Sequence, residues 1–219
     1  MAGKTRALTA KDIYEARNEI IPLSGEWARA MGQPEYGETW IVYGKEKNGK
    51  TTFALMLAKH LASVTKGVLY VSSEEQPTKK TFKVAMQRAG ITVSDKVHFV
   101  PYKSFNELKE LQNKRRARRI VIIDNLSVYN KKVRPEGLLD LINEFPRVTF
   151  IFLAHEDKDG EPLWSLAKTC KLYASVIVNV RGLVAHVFGR GGCPGGELVI
   201  DDTKAALCYQ NSETKNIQP

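Results

Sequence analysis

The sequence predicts an α/β protein, a mostly parallel central sheet flanked by helices with antiparallel strands added near the C-terminus. Three observations carry that expectation. Short apolar runs recur at TWIVY (39–43), VLYVS (68–72), VHFV (97–100), IVII (120–123) and VTFIFLA (148–154), and they are mostly continuous rather than alternating. Strands covered on both faces by crossover helices carry that signature. Segments with helical spacing separate the runs. From about residue 175 the pattern changes: SVIVNV, LVAHVF and ELVI are divided only by Arg-Gly and by GRGGCPGG, too little chain for helices, and they read as antiparallel strands at the sheet edge.

Taken in order, residues 1–38 read as a helical extension packed on the core or linking to it, 39–210 as the core, and 211–219 as a flexible polar tail. The first strand runs into a glycine-rich loop. A helix follows, with Phe53, Met56, Leu57, His60, Leu61 and Val64 on one stripe. After Pro77 a second helix places Phe82, Ala85, Met86 and Ala89 together and stops at Gly90. Ser104 and Glu107 have the spacing of a capping box, which opens a third helix, and a fourth is expected over 136–145.

With 219 residues, 43% of them hydrophobic, the chain can bury a core of domain size. No apolar run approaches the roughly 20 residues that a membrane helix needs. The N-terminal residues are charged, unlike a secretory leader, so a soluble, cytoplasmic protein with no membrane partner is expected. Cys170, Cys193 and Cys208 are scattered without metal-ligand spacing and support neither a disulfide framework nor a zinc site. A formal charge of +9 favours polyanionic partners and says nothing of the fold.

The chemistry starts at GKEKNGKT, positions 44–51, which fits G-x-x-x-x-G-K-[ST] between a strand and an amphipathic helix. Gly44 and Gly49 permit a tight wrap around phosphates, with Lys45, Glu46, Lys47 and Asn48 as its exposed crown. Lys50 would neutralise the outer phosphates, Thr51 would hold Mg2+, and Thr52 completes the loop at the helix start. ATP with Mg2+ is therefore the expected ligand. Asp124, at the carboxyl end of a buried strand, would orient magnesium through water. Glu74 or Glu75, after the second strand, would polarise the attacking water, with Glu74 preferred and Glu75 alternatively paired to a lysine such as Lys79. His155 ends the fifth strand on the same edge, as a sensor of the terminal phosphate or as a structural group.

Together, VLYVSSEEQ, RRIVIIDNLSVY and FIFLAHEDKDGEP, in that order after the phosphate loop, resemble the RecA-like P-loop ATPase superfamily. Within it they look most like the catalytic core of the RadA (Sms) family of bacterial DNA-repair ATPases, with DnaB-type helicases more distant. The resemblance spans about 39–200 and places the catalytic glutamate at Glu74, the Walker B acid at Asp124 and the sensor segment at His155, Lys158 and Gly160. It implies a homo-oligomer, hexamer or filament, with nucleotide between subunits and single-stranded DNA on the axis. Arg190, in VFGRGGCPGG, stands where the family's trans-acting arginine would be, but the lysine of that motif is absent. The zinc-binding module and protease-like domain of full-length RadA are also absent, so a minimal core is expected.

Basic residues gather in KKTFK (79–83), NKRRARR (113–119) and KKVR (131–134). Lys131, Lys132 and Arg134, with Lys158 on the next loop, are the expected DNA contacts. Tyr129 would stack on a base or else pack under its loop. Two functions follow. One is an ATP-hydrolysing motor on single-stranded DNA in replication, recombination or repair, of helicase type. The other is a nucleotide-gated assembly protein that holds a replication or repair partner and has no DNA-stimulated turnover.

Overall fold

The computed structural model describes residues 7–201. The flexible tail expected at 211–219, Cys208 and the last part of the expected core lie outside them. The elements, in chain order, are α1 (Ala10–Tyr14), α2 (Gly25–Met31), β1 (Thr39–Gly44), α3 (Lys50–Val64), β2 (Val68–Ser72), α4 (Lys80–Arg88), β3 (Val97–Pro101) and α5 (Phe105–Gln112). There follow β4 (Ile120–Asp124), a 3-10 turn (Leu126–Val128), α6 (Pro135–Glu144), β5 (Thr149–His155), α7 (Trp164–Tyr173), β6 (Val176–Arg181), β7 (Val184–Gly189) and β8 (Gly196–Val199). One sheet holds all eight strands in the order β3-β2-β4-β5-β1-β6-β7-β8.

The runs that look continuous in sequence split by alternation into two cores. Trp40, Val42, Tyr70, Ile120, Ile122, Ile151 and Leu153 face one side, where α2, α3 and α4 supply Trp27, Phe53, Leu57, Leu61 and Phe82. Ile41, Tyr43, Val71, Val121, Ile123, Phe150 and Phe152 face the other, under Leu108 of α5, Leu138 and Leu141 of α6, and Leu166 and Cys170 of α7. Each large side chain so buried contributes roughly 1.5–3 kcal/mol. Full burial on both faces also fixes register, because a one-residue slip would exchange the two faces.

The expected capping box forms at α5. The Glu107 amide donates to Ser104 Oγ at 3.3 Å, and the Ser104 amide donates to Glu107 Oε2 at 2.8 Å. The C-terminal reading needs refinement. β6 runs parallel to β1, with Trp40 opposite Val176, and only β7 and β8 are antiparallel. The crossover that makes this possible is α7, a helix with no clear mark in the sequence, whose Leu166, Ala167 and Cys170 are buried.

Parallel pairing brings the carboxyl ends of β1, β2, β4 and β5 to one edge. Gly44 pairs in register with His155, and Ser72 with Asp124. Functional groups of open parallel sheets gather outside such ends.

Candidate active site

A cleft of about 820 Å³ opens on that edge. Its floor comes from the turn between β1 and α3. Gly44 admits no side chain, since a Cβ there would stand 2.2 Å from the Val180 carbonyl oxygen. Gly49, the residue before α3, takes a left-handed φ of 98°. These two positions let the chain double back so that the amino end of α3 faces the cleft, an arrangement suited to anions.

Lys50 is buried and donates to the Lys45 carbonyl at 2.8 Å. Burial lowers its pKa, and the nearby Asp124 and Glu74 carboxylates oppose that shift. Thr51 and Asp124 are hydrogen-bonded to one another at the floor. Asp124 also accepts from the Tyr70 hydroxyl at 2.7 Å. Burial pushes Asp124 up to about 6 despite that bond, and Glu74 adds to the rise. A buried carboxylate beside a threonine hydroxyl is a hard oxygen donor set that suits magnesium, and it lies next to the lysine that would share the phosphates.

Glu74 and His155 meet across the cleft, Oε1 to Nε2 at 3.0 Å, with side chains 44% and 18% exposed. Since an ionised carboxylate only accepts, Nε2 carries the hydrogen in this contact. The bond to His155 is the main cause of a lowered Glu74 pKa; burial opposes it, and a further bond from Asn125 reinforces it. No motif in the sequence marks Asn125. Its Oδ1 takes the Ser127 amide at 2.7 Å, which fixes the buried side chain with Nδ2 turned toward Glu74; with Nε2 protonated, the 3.2 Å approach of Nδ2 to His155 is a contact between two donors rather than a bond. Glu75 turns elsewhere: its carboxylate accepts from the Thr81 hydroxyl rather than from Lys79, and it does not line the cleft.

Of the phosphate-loop residues, Glu46, Lys47, Gly49, Lys50, Thr51 and Thr52 line the cleft. Lys45 and Asn48 border a smaller neighbouring cleft with Lys158. Asn48 also accepts from the Gly182 amide at 2.9 Å, tying the loop to the turn between β6 and β7. The remaining wall could not be read from sequence spacing. Leu183 and Ile200 form an apolar side, with Asp201 beside them and Arg88, from the end of α4, at the mouth.

The expected DNA contacts do not converge. Lys132 and Arg134 border a separate cleft of about 600 Å³ between α5 and α6, Lys131 is exposed beside it, and Lys158 lies across the phosphate loop. Tyr129 is not available for stacking on a base. It is fully buried, packed on Phe105 and Tyr102, and its hydroxyl donates to the Lys103 carbonyl at 2.7 Å. Arg190 lies outside the cleft, exposed, with Nη2 donating to the Leu172 carbonyl at 2.5 Å.

A mostly parallel sheet whose first strand turns through this glycine loop into a helix, with antiparallel strands appended beyond it, has the RecA-like P-loop ATPase fold. Among solved structures it is similar to the flagellar accessory protein FlaH from Methanocaldococcus jannaschii, with a TM-score of 0.59 and 17% identity over 82% of this chain and 91% of that one. It is likewise similar to a second solved structure, described as an ATPase domain, with a TM-score of 0.58 and 16% identity over 86% of this chain and 90% of the other. No protein-family model matches the chain, and no curated protein matches it.

Proposed function

We propose that the chain binds ATP with Mg2+ and hydrolyses it, acting on single-stranded DNA in replication, recombination or repair as one subunit of a hexamer or filament. The observation that carries this reading is the pair of Glu74 and His155, 3.0 Å apart over a floor made of Lys50, Thr51 and Asp124. The order of motifs, closest to RadA (Sms), supports it, as does the shared fold of a domain described as an ATPase.

In this scheme the loop amides and Lys50 would hold the phosphates, and Thr51, with Asp124 acting through water, would hold magnesium. The cation's contribution is to neutralise charge that builds on the phosphate oxygens. Glu74 accepts the proton of the attacking water. Its lowered pKa keeps it ionised at neutral pH, which a base requires, and His155 and Asn125 keep it aimed. When a terminal phosphate competes for His155 Nε2, the carboxylate is released toward water. Arg190 would act on a neighbouring subunit's nucleotide.

ATP turnover by the wild type, Lys50→Ala, Glu74→Gln and Glu75→Gln, with and without single-stranded DNA, tests the scheme. Lys50→Ala is expected to lose nucleotide binding. Glu74→Gln should keep binding and lose turnover by about 100-fold or more, while Glu75→Gln stays near wild type. Full turnover in Glu74→Gln would refute the assignment of the base.

A second reading is supported by the similarity to a protein described as a flagellar accessory protein. In it the same site gates an assembly with a partner protein. Nucleotide-dependent association, with turnover flat across DNA and RNA polymers, would select it over the motor.

A further inference from the structure

The amino ends of the parallel strands form the opposite edge of the sheet, away from the nucleotide cleft. Cations enter the strands there: Lys66 before β2, Lys96 before β3, Arg118 and Arg119 before β4, and Arg147 before β5. The densest basic run of the sequence, NKRRARR at 113–119, thus ends in a cavity of about 470 Å³ lined by Lys66, Arg116, Arg118 and Arg119. The proposed ATPase makes no use of it.

The arginines are held in place. The Arg119 guanidinium lies 3.9 Å from the centre of the Tyr36 ring, donates to Glu19 at 2.6 Å and gives its Nε hydrogen to the Arg147 carbonyl at 3.0 Å. Arg118 donates to His98 Nε2 at 2.8 Å, and its Nε would stand 3.3 Å from a Cβ at Gly67. Among the described residues lining the cavity, Glu19 is the only carboxylate, and Arg119 already neutralises it. The cleft beside the 131–134 loop is different: Glu136 and Asp140 line it with Lys132 and Arg134, and its Lys109 is paired to Glu144 at 2.6 Å. Among the described residues, positive charge outweighs negative at the far edge and is balanced at the loop cleft.

We infer that the amino-end edge of the sheet binds the phosphodiester backbone of a nucleic acid, with Lys66, Arg116 and Arg118 as phosphate contacts beside a wall fixed by Arg119. From β3 to β5 the edge crosses three strand gaps, about 14 Å, over which one strand of a duplex presents about four phosphates. A backbone fits better than a protein surface. Protein interfaces are anchored by apolar and aromatic residues, whereas the apolar lining here is Ala117 and a fully buried Ile120, with the Tyr36 ring covered by Arg119. Contacts to phosphate alone position a polymer without reading its sequence. The inference draws its polymer class from the proposed function and does not depend on hydrolysis.

Fluorescence anisotropy of a labelled oligonucleotide at low salt, without nucleotide, tests it on the full chain. The exposed pair Lys66→Ala/Arg116→Asn is compared with Lys131→Ala/Lys132→Ala; asparagine tolerates the left-handed backbone at position 116, φ 69°. The edge variant should lose about tenfold in affinity, and its salt dependence should flatten by about 1.4 log units per decade on a single strand. Its polymer-free ATP turnover and melting temperature should match wild type, while the loop variant binds DNA as wild type does. Single-stranded DNA, duplex DNA and RNA, run in parallel, identify which polymer supplies the backbone. Wild-type binding by the edge variant, loss confined to the loop variant, or no binding to any polymer would overturn the inference. So would stronger displacement by polyglutamate than by unlabelled DNA, the mark of an acidic protein partner. Failure of ATP turnover with edge-dependent DNA binding intact would defeat the ATPase reading alone.

Discussion

Asp124 is the residue on which the cleft's electrostatics turn. It is buried and pushed up to about 6, and the Tyr70 hydroxyl at 2.7 Å restrains the shift more than Thr51 does. Tyr70 is itself fully buried, so Tyr70→Phe removes a bond to a charged group without opening a large cavity. The expected cost is about 1.5–3 kcal/mol in urea unfolding at neutral pH. That cost should shrink as the pH falls through about 6, where Asp124 binds a proton and its charge no longer needs the donor. At this scale the sequence is legible where function is local in the chain. The spacing of Gly44, Gly49, Lys50 and Thr51 can be read within eight positions. Arg88, Leu183 and Ile200 enter the same cleft from segments that only folding brings together, and no local pattern marks them.

Among the elements, α5 shows how much a local signal can carry. Its capping box is visible in the spacing of Ser104 and Glu107, and it forms as expected. Glu107 lies on the surface, and the Lys103 ammonium 2.9 Å away, with the Ser104 amide and hydroxyl, holds its pKa down to about 2, below the usual 4.5. A carboxylate with a depressed folded pKa contributes stability above pH 4.5, and loses it as the pH falls through about 2. Glu107→Gln should therefore show a shallower acid dependence of its melting temperature between those limits than wild type, with the two converging at the acid end. α7 is the contrary case. Its apolar positions at 166, 167 and 170 are too few to stand out beside Lys168, Lys171 and an exposed Trp164, Leu172 and Tyr173. Without that helix β6 reads as antiparallel, since a following strand with no crossover can only turn back.

For the whole molecule, the sheet joins the cleft's parts from several separate segments, and a ligand that bridges them should stabilise the fold as a unit. Magnesium with a slowly hydrolysed ATP analogue, at a hundredfold excess over Kd, is expected to add about 2.7 kcal/mol. Differential scanning calorimetry would show this as a higher transition, and EDTA should remove most of it. Lys50→Ala should show little of the gain. An unchanged transition in the wild type would mean that the cleft does not take this ligand. Both cores run along the central strands, which is why the fold class is legible largely from apolar runs: burial on two faces leaves a mark at every position of β1, β2 and β4. The cleft's outer wall leaves none, because its residues are chosen by position in space rather than by hydropathy.

β4 carries Arg119 just before its first residue and Asp124 as its last, with five buried positions from Ile120 to Asp124. At about 3.3 Å per residue the two ends are set roughly 16 Å apart. This length behaves as a gauge block between two faces of the molecule. An inserted residue within 120–124 would spoil both faces at once, throwing the acid out of line and reversing the strand's apolar sides. An insertion in the exposed run 113–116 would alter only the basic end. Length variation in this chain is therefore admissible before β4 and forbidden inside it, and the basic end can diverge without disturbing the acidic one.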